Sequence, residues 1–458
     1  MKFKLTDKKI TGWILLLTLA VLLIPLVLRF ISGNTTLMGG YSYHHWQLSQ
    51  NLDLLFQSKF FTPYDLILFI LNSIIESPVW SIILPILLGV GSVLLFSNFL
   101  RKFNLTEKQK FFILVFLVLS PAFIYFFTFS NHYGLVVFLL LLTINILELK
   151  NNWRYLALPL ILFIPFFDIL TTLITLKILF VYWLLKKDKT ITYLIAELFL
   201  LAVIVQIFYP QPLIYEPLQQ ISFLAEFFSD LGGLKGFSFF NLILVMIGLT
   251  VTWKKRKIYY FAYPLIVVLI FLFNLDANLN IYLNFILAFF SGLGLMWLWQ
   301  KKWKLNFLKK LSISLLLAAL ILSTAGYLNQ ISQVPPNNLI EESLEWLKDN
   351  SNPGELVISH PSKSFWIKTM AERPVFLDIY DKNYHQKLKI SQEIFYSRDI
   401  DLTIQLLEEN KIKYVWIDLE MIKGQVWKDE DEGLLFLFRN QRFKNVYAQK
   451  GIEIWRFD

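Results

Sequence analysis

The side chains most able to do chemistry in this 458-residue chain are a few acids, imidazoles and bases set among apolar residues. Asp53 and Asp65 follow the stretch Tyr41-Ser42-Tyr43-His44-His45. Asp168 lies in Phe166-Phe167-Asp168-Ile169, within an otherwise apolar run, where a carboxylate is costly and usually functional. Glu226 and Asp276 sit in later polar loops. A carboxylate placed beside a hydroxyl can take its proton as a general base. Arg29, His44, His45 and Lys59 offer positive charge or donors of the kind that hold an anionic group. Each also has a plainer reading. Asp65, three residues after Thr62, fits a capping box at a helix start. Asp53 fits the wet face of an interfacial helix. Asp276 is a loop acid, and the histidines fit polar anchors at a membrane surface.

Cysteine is absent, which removes thiolate nucleophiles and cysteine-ligated metals. No G-x-x-x-x-G-K-[ST] and no G-x-S-x-G occurs, so ATP hydrolysis and serine-hydrolase chemistry lack support. The acids are not clustered as a hard cation requires, and no cofactor or divalent metal is expected.

The surrounding elements must be helices in a membrane. The chain is 56% hydrophobic and only 17% charged, against about 25% charged in an ordinary soluble domain. That excludes a soluble enzyme, a disordered chain and a collagen-like fibre. The net charge of +9 is unevenly placed. Residues 335–458 hold 17 Lys and Arg against 21 Asp and Glu, and residues 1–334 hold 26 against 13. The basic excess lies in short clusters between apolar runs, which marks cytoplasmic loops rather than a nucleic-acid groove.

Eleven spans are expected, over 11–31, 78–99, 111–129, 132–149, 155–168, 170–185, 191–209, 237–253, 258–275, 279–299 and 308–328. The fifth and sixth must go out and return, with Pro165 and Asp168 at the tip. The basic clusters fall on alternate loops, so the N-terminus is expected in the cytoplasm and the C-terminal part outside. The first span is expected to stay as an anchor, since no A-x-A cleavage pattern follows it.

Two domains are expected. Residues 1–334 form the membrane part, whose outer loop 32–76 carries interfacial helices. Leu48, Leu52, Leu55 and Phe56 recur at helical spacing there, and a second helix starts at Pro63. Residues 335–458 read as a small α/β domain with a largely parallel sheet. Its expected strands are 356–359, 374–377 and 414–417, ending in a hairpin over 446–448 and 452–456.

Two stretches carry a family likeness. One is Gly39-Gly40-Tyr41-Ser42-Tyr43-His44-His45 with Tyr64-Asp65. The other runs from Trp346-Leu347 through Ile358-Ser359, Phe365-Trp366-Ile367 and Ala371-Glu372-Arg373-Pro374 to Asp378. With eleven spans and an outer α/β domain, they resemble the GT-C superfamily, in particular proteins like the catalytic subunit of oligosaccharyltransferase. The resemblance implies an inverting glycosyltransferase that takes sugar from a polyprenyl-phosphate lipid and passes it to a glycan or protein acceptor outside the membrane. It implies a catalytic acid among Asp65, Asp168 and Asp53. Arg29, His44, His45 and Lys59 would face the donor phosphate, and Asp276 and Glu226 would lie on the acceptor side. The chain departs from the family in two places. Tyr41 stands where an acid is usual, and His360-Pro361-Ser362-Lys363-Ser364 replaces the W-W-D-Y-G motif. Two other readings stay open: a non-catalytic descendant that binds glycan or a partner protein, and a transporter of lipid-linked sugar.

Overall fold

Apolar runs bounded by basic clusters become helices, because only a helix satisfies its own backbone in hydrocarbon. The computed structural model describes residues 7–57, 62–75, 77–149, 152–208, 223–253, 256–273, 276–381, 383–429 and 431–458. Among these, six helices are long and apolar enough to cross a membrane: Lys9–Ile31, Val79–Leu100, Ile169–Lys186, Lys189–Phe208, Ala277–Gln300 and Asn306–Ser332. The remaining expected spans are helical but short or bent. Glu107–Val118 and Pro121–Thr128 meet at 59°. Pro121 explains the break, since it has no N–H to continue the first helix. His132–Leu147 and Phe239–Thr252 are shorter apolar helices. The fifth expected span is a chain of short turns, Asn152–Leu156, Ala157–Ile161 and Ile164–Phe166, before the full helix Ile169–Lys186.

Two compact units emerge. The first comprises the chain up to Leu28, Phe61–Glu216 and Ile221–Ser332. Its core is the helix Asn280–Gln300, which packs backbone to backbone on Phe239–Thr252. A Cβ on Gly248 would lie 2.0 Å from the Phe290 carbonyl oxygen, so only glycine allows that approach.

The second unit is built chiefly from Arg29–Phe60 and Gln333–Asp458. The loop 32–76 is thus divided between the units. The single helix expected through Leu48, Leu52 and Leu55 is instead two helices, Gly39–Leu48 and Leu52–Gln57, broken at Ser49–Asn51. Gly39–Leu48 packs on Ser364–Met370, where Gly40 leaves room for Phe365. Four strands form one sheet in the order β1-β2-β4-β3: β1 (Leu356–Ile358), β2 (Ile412–Ile417), β3 (Phe443–Gln449) and β4 (Ile452–Phe457). The expectation of a largely parallel sheet is corrected. Only β1 and β2 are parallel, and β4 pairs antiparallel with both β2 and β3. The terminal hairpin turns at Lys450 and Gly451, both at positive φ, and this reversal brings β4 back against β2. The segment 374–377 forms a single bridge, Val357 to Val375, rather than a strand. Tyr384–Tyr396, which the apolar pattern does not announce, is a helix whose Ile394 and Phe395 join Val415, Ile417 and Trp427 in the core.

Candidate functional site

A set of polar groups in the first unit lies where short helices end. Asp168 caps the helix Ile169–Lys186. Its Oδ1 accepts from the Thr171 backbone N–H at 2.6 Å. Its Oδ2 is buried and carries no hydrogen bond among the described residues. That oxygen lies 3.9 Å from His132 Nε2. Burial, with a smaller push from the nearby Asp276 charge, lifts the Asp168 carboxyl from 3.8 to about 7.

His132 is placed by a cap of its own. Asn131 accepts from the Gly134 N–H at 3.2 Å and donates to the carbonyls of Phe126 and Phe129 at 2.9 Å. This fixes the start of His132–Leu147 and brings Tyr133 beside its neighbour's ring at 4.1 Å. The Tyr133 hydroxyl donates to Asp276 Oδ2 at 2.8 Å. Asp276 Oδ1 accepts from the Asn278 N–H at 2.8 Å. Tyr133 thus ties the 131–133 and 276–278 turns together, with Asp168 on one side and Asp276 on the other.

Glu226 and Lys235 come from one tight turn. Phe228 and Phe237 bridge, and the Phe237 N–H donates to the Phe227 carbonyl at 2.8 Å. A Cβ on Gly236 would lie 2.6 Å from that same carbonyl oxygen, so the turn requires glycine. The Lys235 carbonyl accepts from Asn280 Nδ2 at 2.7 Å. Its ammonium sits 5.6 Å from the centre of the Tyr125 ring. The Glu226 and Asp276 charges both act on Tyr125. Asp168, Asp276, Glu226, His132 and Lys235 are therefore linked through neighbouring residues. Lys235 is the ammonium of that set, and among the described residues no carboxylate oxygen lies within 4.0 Å of it. Sequence reasoning misses it, because the only signal there is its place among a few scattered outer cations.

Other expected site residues stand differently. Asp65 is fully buried, and its Oδ2 accepts from both the N–H and the hydroxyl of Thr62, at 2.7 and 2.8 Å. That is the helix cap of its plainer reading. Asp53 is exposed on Leu52–Gln57, in the second unit. Lys59 lies outside the described residues.

Arg29, expected to face a donor phosphate, clamps backbone carbonyls. Its buried guanidinium donates to the carbonyls of Thr35, Val334 and Pro336 at 2.7, 2.5 and 2.6 Å, and to Leu37 at 3.4 Å. His44 and His45 are buried as well. The His44 ring packs between Phe365 and Tyr380, at 4.7 and 4.6 Å between centroids. His44 thus packs within the second unit.

The stretch that replaces the family motif is also structural. His360 Nδ1 accepts from the Ser362 N–H at 3.3 Å and from Gln425 Nε2 at 3.1 Å. Burial and the neighbouring Lys363 push its imidazole down to about 4, so it is neutral. Lys363 is itself buried, paired with Asp418 at 2.6 Å and with Glu420.

The fold resembles that of solved GT-C membrane glycosyltransferases. The chain is similar in structure to the oligosaccharyltransferase of Archaeoglobus fulgidus in its apo form, with a TM-score of 0.61 and 14% identity, covering 98% of this chain and 74% of that one. The archaeal oligosaccharyltransferase AglB from Archaeoglobus fulgidus in complex with an inhibitory peptide and a dolichol-phosphate matches at 0.58 and 14%, over 97% and 74%. ArnT from Cupriavidus metallidurans bound to undecaprenyl phosphate matches at 0.56 and 10%, over 97% of this chain and 98% of that one. No family model matches the sequence, and no curated protein does. The six long apolar helices mark the chain as an integral membrane protein.

Proposed function

We propose that the chain is a glycosyltransferase that moves a sugar from a polyprenyl-phosphate lipid to an acceptor hydroxyl or amide on the extracytoplasmic face. The N-terminus lies in the cytoplasm in this reading. The observation that carries it is the Asp168 Oδ2 atom, buried, without a hydrogen bond and part of a linked set of polar groups. Solved GT-C structures holding dolichol-phosphate and undecaprenyl phosphate support the donor class.

The acceptor oxygen or nitrogen attacks the anomeric carbon. Its proton passes to Asp168 Oδ2, and the bond from that carbon to the phosphate oxygen breaks. The polyprenyl phosphate leaves with the electron pair, and its new charge is balanced by the Lys235 ammonium. Attack opposite the leaving group inverts the sugar centre. Tyr133 and Asp276 hold the turn that presents His132 beside the base. Asp276 and Glu226 contact acceptor hydroxyls. No step is assigned to a metal.

The test is a transfer assay in nanodiscs with radiolabelled polyprenyl-phosphate hexoses. Label leaving the lipid with the parent, and staying on it with Asp168→Asn, is the expected result. Donor binding without turnover in the parent would move the chain to the glycan-binding reading. Neither binding nor turnover would remove the polyprenyl donor.

A further inference from the structure

Two charged residues of the first unit sit at the centre of lipid-facing helices and have no part in the site above. Lys177 lies in Ile169–Lys186, eight residues from its start and nine from its end, about 12–13 Å from either. Its side chain is exposed. It shares one helix face with Leu173, Phe180 and Leu184, all exposed, which are spaced as a single stripe along the helix. A lysine stem covers only about half the distance to the helix end, so snorkelling does not bring this ammonium to water.

Glu197 lies in the next helix, Lys189–Phe208, eight residues from its start, or about 12 Å. It is half-buried, and its Oε2 has no hydrogen-bond partner among the described residues. On the same helix face Tyr193, Leu200 and Ile204 are exposed. The two helices are antiparallel neighbours joined by a short turn, so Lys177 and Glu197 stand at the same depth within about 2 Å. Among the described residues no carboxylate lies within 4.0 Å of Lys177, and no ion pair joins it to Glu197.

We propose that this hairpin face is covered by a second copy of the chain, with Lys177 of each copy paired to Glu197 of the other. A two-fold axis normal to the bilayer sets the first helix of one hairpin against the second helix of the other and preserves depth. One lysine and one glutamate per chain therefore give two matched pairs in the apolar layer, with the exposed leucines and aromatics packing around them. The chain's own complementary charge at the same depth is what selects a second copy over a foreign helix. Ionisable groups inside membrane spans face partners or cavities rather than acyl chains.

The chain has no cysteine, so introduced cysteines report contacts cleanly. One tagged copy carries Leu173→Cys and a second, differently tagged copy carries Ile204→Cys, each on the same helix face as its charged residue. After co-expression and mild oxidation in the membrane, a disulfide-linked heterodimer is expected. Single-molecule photobleaching in liposomes should show two copies per complex. Lys177→Glu alone, and Glu197→Lys alone, should weaken dimerisation roughly tenfold or more, and the double swap should restore it. Melting temperature and helix content, measured alongside, show that each variant is folded. One copy per complex for the parent at every protein-to-lipid ratio would overturn the proposal. So would a dimer indifferent to the charge reversals.

Discussion

Asp168 and His132 face each other across 3.9 Å, and the Asp168 oxygen on that side accepts no hydrogen bond among the described residues. The other oxygen caps a helix through the Thr171 N–H. Asparagine keeps a capping oxygen, so Asp168→Asn separates the two roles. Transfer should fall by about 10²–10⁴-fold, while melting temperature and helix content stay near the parent values. A parent-like rate in this variant would take Asp168 out of the chemistry.

The same carboxyl sets a pH dependence. Raised to about 7, it keeps its proton below neutrality and cannot act as a base there. Transfer should therefore climb as pH rises through about 7, and the climb should disappear in whatever residual rate Asp168→Asn retains. Stability should run the other way. Below 3.8 the group is protonated folded or unfolded. Between there and about 7 the unfolded chain loses the proton first, so the native state loses stability as pH rises. A rate profile flat from pH 5 to 8 would contradict the assignment.

Lys235 should act on the leaving phosphate. Lys235→Gln is expected to slow transfer by about 10²-fold without moving the ascending pH limb. Gly236→Ala keeps the charge but forces the turn open, because its Cβ would meet the Phe227 carbonyl. It should reproduce much of the loss. An active Gly236→Ala variant would show that the lysine's position is not critical.

Arg29→Lys tests the clamp. One ammonium cannot reach four carbonyls, and burial leaves several acceptors without donors. Destabilisation of about 2–4 kcal/mol is expected by thermal unfolding in detergent. A donor-phosphate role would instead show as a raised KM with unchanged stability.

His44→Phe distinguishes packing from phosphate binding at that site. A phenyl ring preserves the stack between Phe365 and Tyr380, so donor KM should stay within about twofold of the parent. A large rise in donor KM would restore His44 as a ligand.

Local signals in the sequence are the readable ones. Thr62 and Asp65 announce a helix start at Pro63, where the helix Pro63–Ile74 begins. Asp168 stands out because an acid in an apolar run needs a reason, and the terminal hairpin follows from alternating residues around Lys450-Gly451. What escapes notice depends on contacts distant in sequence. The backbone acceptors of Arg29 lie partly beyond residue 333, and no periodicity at Arg29 reports them. The direction of β4 depends on which strand it meets, so a run of short strands alone suggests a parallel sheet. Tyr384–Tyr396 has only a modest apolar stripe, diluted by its lysines and glutamine. Lys235 becomes interesting only when Tyr125 and Asn280 arrive beside it.

The Arg29 clamp joins positions 305 residues apart, from Arg29 to the Val334 carbonyl. At about 5–20 residues per second, a growing chain takes roughly 15–60 seconds to supply that acceptor. For that interval the guanidinium waits at the end of the first helix with part of its hydrogen bonding unmade. Closure of the clamp is thus a late event that depends on everything made in between. A chain that stalls or is cut within the bundle carries the defect at residue 29, so the opening of the sequence holds a record of whether the rest has arrived.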